Sequence, residues 1–581
     1  MLHFLGPFLI LLVDTLFFDL RELPIVLDAL TIFIFVSLLR RFQLRILYVR
    51  HDRISEIDFE TRESASKRLV WNFSSLAWTG IAILSFLFWY SRWFYSQGIP
   101  DSPDALAKLK PFLHLGIVLF IFDQVGATKP FIKWWFGLKL TPLRLGLLFY
   151  LLLSIFGGIL LLLPFNQLKN SHLSLIDAFF TSVSALTVTG LTTVSVSQTF
   201  SKSGLVVILA LIQLGGIGIV AFSLTAATVF KRRFSLGHTK LGQQLYGNPE
   251  VGEVSVFLWK LLVTFFALEI IGAAFLYTLF PEGISDRFFH AVFHSISAFC
   301  NAGFSSFDDS LNFSGGIPFK ICICILLVAG GFGFPALFEF FQWNRIKNWF
   351  VGRQKSQQRA SNLSENFRLT LFVSLALWIS GALLIFLGEV ASGARGVLSS
   401  LGDGLFYTFS SRTAGFNTTP VADLSSFSQT IIGMLMFIGG GAVSAAGGIK
   451  TSTLGVLVMS VRSFLKGHQK AKFGRSEIPH EVIIRSLAVL LTYLAVLFFA
   501  VILLRFTEPM ALGTLVFESI SALSTVGLSA GQTSEFSPIG KLILCFLMLA
   551  GRFGILAMIS VGIGNGQRES YRLPPGRFFI G

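Results

Sequence analysis

The sequence predicts an all-α polytopic membrane protein in which four pseudo-repeats of helix, pore loop and helix surround one central ion pore. Three observations predict it. Of 581 residues, 53% are hydrophobic and 13% charged, with a mean hydropathy of +0.72, whereas soluble domains carry about 25% charged residues. Apolar runs long enough to cross roughly 30 Å of hydrocarbon recur along the chain. One short pattern also occurs four times: SALTVTGLTT (184–193), SAFCNAGFSS (297–306), SSRTAGFNTT (410–419) and SALSTVGLSA (521–530). Its glycines, Gly190, Gly303, Gly415 and Gly527, are separated by 113, 112 and 112 residues. So even a period in a membrane chain points to four equivalent units around a common axis. An ion filter needs that arrangement, because several backbone strands must offer carbonyls to one dehydrated cation.

Composition excludes several other classes. The 46 Lys+Arg against 31 Asp+Glu give a net charge of +15, but the basic residues lie between apolar runs, which reads as topology and not as nucleic-acid binding. Cys300, Cys322, Cys324 and Cys545 sit in apolar or loop stretches and read as small buried residues, not disulfides or metal ligands. No HExxH, GxSxG, Walker A or clustered His/Asp pattern occurs, so no enzyme and no organic cofactor are expected. The N-terminus is apolar from Leu2, but Asp14 and Asp19 interrupt it and no small-residue cleavage site follows, which predicts a retained helix.

The elements follow in order. Residues 1–140 form an N-terminal extension of about four transmembrane helices, with apolar runs near 3–20, 23–39, 70–94 and 110–127. Repeat 1 (141–245) places helices at about 143–164 and 203–230 around a short segment 175–187 and a filter loop 187–191. Repeat 2 (246–360) has helices 256–280 and 316–342, short segment 287–299 and filter loop 300–304. Repeat 3 (361–475) has helices 368–388 and 427–462, short segment 402–411 and filter loop 412–416. Repeat 4 (476–565) has helices 482–505 and 538–562, short segment 513–523 and filter loop 524–528, before a tail 566–581. The short segments cannot span, so they are re-entrant, and their irregular ends must line a hydrated path or be buried in protein.

Loop charge sets the orientation. Lys231, Arg232, Arg233 and Lys240 join repeats 1 and 2, and Arg345, Lys347, Arg353, Lys355, Arg359 and Arg368 join repeats 2 and 3. Arg462, Lys466, Lys470, Lys472 and Arg475 join repeats 3 and 4, and 40–68 is also basic. Positive-inside bias puts these loops and the C-terminus in the cytoplasm and the filter entrance on the extracellular or periplasmic side of a cytoplasmic membrane. All four repeats then run parallel, unlike the inverted repeats of many secondary transporters.

Thr187, Val188, Thr189 and Gly190 follow the first short helix; Cys300, Asn301, Ala302 and Gly303 the second; Arg412, Thr413, Ala414 and Gly415 the third; Ser524, Thr525, Val526 and Gly527 the fourth. Their backbone carbonyls are the expected cation ligands, with glycine permitting the required dihedrals and the helix C-termini adding negative potential. Gly439, Gly440, Gly441, Ser444, Gly447 and Gly448 crowd the second helix of repeat 3. A mid-helix glycine costs up to about 1 kcal/mol, so this many should unwind it. Asp177 and Asp403 are expected as caps near pore-helix starts. Glu518, nine residues before Gly527 as His294 is before Gly303, is expected to partner a basic group.

These loops, with the second-helix stretches LIQLGGIGIV (211–220), LLVAGGFGFP (326–335), MFIGGGAVSAAGGIKT (436–451) and LAGRFGIL (549–556) and the tail YRLPPGRFFIG (571–581), resemble the Trk/Ktr/HKT superfamily of potassium transporters. The resemblance covers about residues 141–581 and is closest to the KtrB and TrkH membrane subunits. It implies K+ uptake, favoured by Gly190 over the serine of many sodium-preferring plant relatives, with Na+ as an activator and a Na+-selective or Na+/K+ co-translocating member as the alternative. It implies that 439–450 is an intramembrane gate loop, although Ala442, Val443 and Ala446 stand where a proline and a threonine are familiar. Arg412 would point behind the filter and tie loop to scaffold. Lys450 would stand near the path or snorkel to the inner interface. Arg552 would lie near the pore below the filter, bonding the gate loop or tuning the cavity. The resemblance further implies a homodimer and a cytoplasmic nucleotide-binding ring of the KtrA/TrkA type, while the N-terminal extension departs from the family.

Overall fold

The computed structural model describes residues 142–168, 173–233, 251–308, 310–311, 316–333, 336–337, 364–393, 396–442, 444, 446–468, 470–474 and 476–554, all within the compact unit Leu140–Gly581. The expected extension 1–140 and tail 566–581 lie outside these residues.

Three helices come first: α1 (Pro142–Leu162), α2 (Leu175–Leu186) and α3 (Lys202–Arg233). Next are α4 (Val251–Leu279), α5 (Arg287–Phe299) and α6 (Gly316–Gly331). The third group is α7 (Glu365–Ser392), α8 (Val397–Ser410), α9 (Ser426–Met436) and α10 (Thr451–Leu465). A two-residue hairpin, β1 (Lys472–Phe473) and β2 (Ser476–Glu477), pairs Lys472 with Glu477. It leads to α11 (His480–Thr507), α12 (Leu512–Ser524) and α13 (Pro538–Phe553).

Burial separates two kinds of helix. The short helices α2, α5 and α12 are buried along most of their length and α8 along its C-terminal part, carrying Phe180, Phe293, Leu523 and Tyr407 into the core. Long helices expose apolar side chains such as Ile270, Phe275, Ile379 and Phe499, the surface that hydrocarbon covers. Among the described residues, three helices are long and apolar enough to cross a membrane: Leu261–Leu279, Glu365–Ser392 and His480–Thr507.

The helices close into a ring. α3 packs on α5, α6 on α8, α9 on α12, and α13 returns to α2. Hydroxyl caps set several starts: Ser174 accepts from the Asp177 amide, Ser364 from Phe367, Ser425 from Ser428 and Ser537 from Gly540. Two carboxylates lock the C-terminal ends of α7 and α11 to the next helix start in the same way. Glu389, ending α7, accepts from the amide and hydroxyl of Ser425 at 3.0 and 2.9 Å. Glu508, following α11, accepts from the Ser537 amide at 3.1 Å and from its hydroxyl at 2.5 Å.

Three local expectations are corrected. Asp403 caps nothing: α8 starts at Val397 behind Gly396, and Asp403 instead accepts from Thr418 Oγ1 at 3.4 Å. Asp177 lies in the first turn of α2, but Ser174 supplies the cap and Lys541 Nζ of α13 meets the carboxylate at 2.7 Å. The helix expected over 316–342 breaks off at Gly331, with Gly333 at φ +96°, while 334–335 and 338–342 lie outside the described residues.

Asp177 and Lys541 join the first and last groups, with side chains 15% and 13% exposed. Burial alone would raise the Asp177 carboxyl, but hydrogen bonds from Lys541 and Ser174 and the lysine's charge outweigh it and hold the group below its ordinary value. A depressed carboxyl stabilises the fold above its unfolded pKa, about 4, and that stability is lost as pH falls through the lower folded value. Lys541→Met is therefore expected to lower the Tm in detergent clearly at pH 7 and 5, by up to about 3 kcal/mol of stability, and by much less at pH 3. An equal loss at both extremes would show that the lysine's charge is not what matters.

Candidate ion-conduction site

The four loops share one backbone. Val188, Asn301, Thr413 and Thr525 have φ of 58°, 58°, 71° and 52°, and each lies two residues before its glycine. Gly190, Gly303, Gly415 and Gly527 follow at 93°, 68°, 75° and 94°. In extended backbone successive carbonyls face opposite ways; left-handed residues at alternate positions turn them to one side. Three of the four non-glycine positions hold β-branched residues, for which this conformation costs about 1–3 kcal/mol each. The strain persists because the loops are pinned. Thr189, Ala302 and Val526 amides donate to Ser184, Ser297 and Ser521 carbonyls at 2.7–2.8 Å, and Ala414 donates to Ser410 at 2.9 Å. The same serine hydroxyls also act. Ser184 and Ser521 accept from Gly190 and Gly527 amides at 3.1 Å, while Ser297 and Ser410 donate to Phe304 and Phe416 carbonyls at 2.7 and 2.6 Å.

The four glycines form a closed ring. A methyl group on Gly190 would lie 2.3 Å from Ala302 O, on Gly303 2.7 Å from Ala414 O, on Gly415 2.4 Å from Val526 O, and on Gly527 2.1 Å from Thr189 O. Each loop thus abuts the carbonyl of the next, and only hydrogen fits at the contact.

Behind the ring, the side chain three residues before each glycine has its own anchor. Thr187 Oγ1 donates to Val183 O at 2.7 Å and meets Thr189 Oγ1 at 2.8 Å. Cys300 Sγ approaches Glu269 Oε1 of α4 at 3.7 Å. Arg412 donates to Gly439 O at 3.0 Å and lies 5.5 Å over the Trp378 ring of α7. Ser524 meets Tyr493 OH of α11 at 2.5 Å. Glu269, Trp378 and Tyr493 were not singled out from the sequence; a carboxylate inside the apolar run 256–280 was the available signal.

Below the ring, three second helices seat a glycine on the last turn of a pore helix: a methyl on Gly215, Gly330 or Gly551 would lie 2.0, 1.8 or 1.9 Å from Leu186, Phe299 or Leu523 O. In the third group this level is not helical. Between α9 and α10 the Gly439 amide donates to Ile449 O at 2.9 Å, Gly441 to Gly331 O at 2.8 Å, and Thr451 to Gly440 O at 3.1 Å. Ser444 Oγ closes onto Gly441 O at 2.7 Å. Gly447 abuts the fourth loop, where a methyl would be 2.1 Å from Thr525 Oγ1; Gly448 takes φ +67° beside Gly439. Lys450 folds back to donate to Ala446 O within the segment. Arg552 donates to Gly215 O of α3 at 2.6 Å, and Tyr150 OH shares that acceptor at 3.3 Å.

Among the described residues Glu518 meets no basic partner, contrary to expectation. It accepts from Ser529 Oγ, the Ala530 amide and Thr533 Oγ1 at 2.6, 3.0 and 2.9 Å, steadying the chain just beyond Gly527. His294 Nε2 meets Ser305 Oγ at 3.1 Å in the corresponding place.

A family model described as "TrkH: Cation transport protein" matches residues 152–563. The chain is 33% identical over 457 residues to the "Ktr system potassium uptake protein B" of Bacillus subtilis (strain 168), covering 78% of this chain and 98% of that protein. It is 30% identical to the "Potassium/sodium uptake protein NtpJ" of Enterococcus hirae, covering 76% and 98%. Its fold is similar to the crystal structure of the potassium transporter TrkH from Vibrio parahaemolyticus, with a TM-score of 0.58 at 22% identity over 71% of this chain and 82% of that one.

The seated glycines predict a sharp contrast. Gly215→Ala, Gly330→Ala and Gly551→Ala should each destabilise by about 1–3 kcal/mol through overpacking against a carbonyl. Gly433→Ala, whose methyl would lie 3.8 Å from Phe517, and Gly513→Ala, with nothing within 4 Å, should leave the Tm in detergent unchanged.

Proposed function

The chain belongs to the TrkH family of cation transport proteins, and from that membership we propose that it takes up K+ across the cytoplasmic membrane. The ion passes through a selectivity filter lined by backbone carbonyls of 187–190, 300–303, 412–415 and 524–527. The single observation that carries this reading is the closed ring of four glycine loops with alternating left-handed residues. K+ sheds water on entry, and carbonyls from four strands replace those ligands. The C-termini of α2, α5, α8 and α12 add negative potential at the same place. An inside-negative potential contributes about 2.3 kcal/mol per charge per 100 mV towards uptake, so a channel-like downhill path suffices.

The segment 439–450 acts as the gate beneath the filter. Its contact with Thr525 and its hydrogen bond from Gly441 to the end of α6 support this role. Arg412 couples filter to gate through Gly439 O. Lys450 stays within the gate segment and Arg552 braces α3 beside it. The protein works as a homodimer with a cytoplasmic nucleotide-binding regulatory ring of the KtrA/TrkA type, which the basic inter-repeat loops suit as a docking surface. The Enterococcus relative, named a potassium/sodium uptake protein, favours a second reading in which Na+ activates or accompanies K+.

Uptake of K+, Rb+ and Na+ in a host lacking its own K+ uptake systems tests this. The wild type should restore growth at low K+, and Gly190→Ser and Gly527→Ser, made separately and shown to be expressed, should lower the K+/Na+ uptake ratio. Unchanged selectivity in both would sink the filter reading; comparable Na+ and K+ uptake by the wild type would favour the second.

A further inference from the structure

Glu269 lies within α4 and is 4% exposed. Its Oε2 accepts from Gln213 Nε2 of α3 at 2.8 Å, and its Oε1 faces the Cys300 thiol at 3.7 Å. Cys300 Sγ also approaches Gln213 Oε1 at 3.8 Å, so the three side chains close a small buried cycle. One turn of α5 earlier, Ser295 Oγ donates to the Glu269 carbonyl at 2.6 Å. Among the described residues, no lysine, arginine or histidine forms an ion pair with this carboxylate. A carboxyl inside a membrane span is costly and is found where it does a job.

Cys300 ends α5 and opens the second loop, so whatever holds its side chain fixes where that loop's carbonyls begin. The other anchors here are larger or stronger: a guanidinium on Trp378 and Gly439 O, and a 2.5 Å hydroxyl pair. A thiol is a weak donor and would leave the second loop the least constrained of the four. We propose that Glu269, acting through Cys300 and Gln213, is a specificity-determining positioning residue for the second filter loop. This rests on the filter reading above. Its carboxyl oxygens, as hydrogen-bond acceptors, keep the Cys300 end of the loop at the width that discriminates K+ from Na+.

The test is the K+/Na+ uptake ratio of full-length Glu269→Ala and Glu269→Gln, with expression and Tm measured alongside. Glu269→Ala should lower the ratio about ten-fold, as loss of one buried hydrogen-bond acceptor would. Glu269→Gln, which keeps an acceptor of the same shape, should stay near the wild type. A wild-type ratio in a folded Glu269→Ala overturns the inference, as does an equal fall in both variants, since charge and not hydrogen bonding would then be at work. Should Glu269→Ala not fold, Cys300→Ser and Cys300→Ala decide: the serine, a stronger donor, should preserve the ratio and the alanine reduce it, and an unchanged alanine overturns the proposal. A wild type that takes up no K+ would overturn the filter reading itself, whereas a selective wild type with an equally selective Glu269→Ala overturns only the role of Glu269.

Discussion

In the proposed filter, backbone that offers its carbonyls to a cation cannot also spend them on a helix or a sheet, and inside a membrane no lipid will replace the lost bonds. Much of the described structure answers that constraint. Each loop hangs from its own pore helix by an amide-to-carbonyl bond, and a serine hydroxyl of that helix adds a second tie. Below, glycines bring the second helices against the ends of the pore helices. Above, Glu518 and His294 hold the chain as it leaves the ring. The strained residues at Val188, Thr413 and Thr525 are tolerable only because so many contacts over-determine them.

Fourfold likeness holds at the glycines and weakens with distance from them. The third group replaces a glycine seat with a broken helix, and its Arg412 reaches into that break. The second group has a shorter interruption at Gly333, and the Gly331 carbonyl receives the Gly441 amide. The end of α6 thus accepts a bond from the broken stretch of the third group.

The sequence made the pore helices and the glycines legible because backbone demands leave local marks: a small-residue run, a glycine at fixed spacing, a stretch too short to span. The break at 439–450 was legible for the same reason. Side-chain partners were not. Asp403 looked like a cap because α8 starts six residues earlier, at Val397 behind Gly396, which has no side chain to mark the start. Glu518 looked like half of an ion pair because its true partners are hydroxyls and one amide, and such residues carry no charge signal. Glu269 stood out as a carboxylate in an apolar run, but nothing local says that Cys300 and Gln213, 31 and 56 residues away in the chain, meet it.

The four quarters belong to one polypeptide, closed by α13 against α2 and by Lys541 on Asp177. In a tetramer of identical subunits every substitution at the axis is made four times. Here each is made once. Four guanidinium groups encircling a cation path would repel each other and the ion, whereas a lone Arg412, withdrawn onto Trp378, does neither at close range. A single chain thus removes symmetry as a restraint on mutation: one quarter can depart from the shared pattern while its three neighbours keep it.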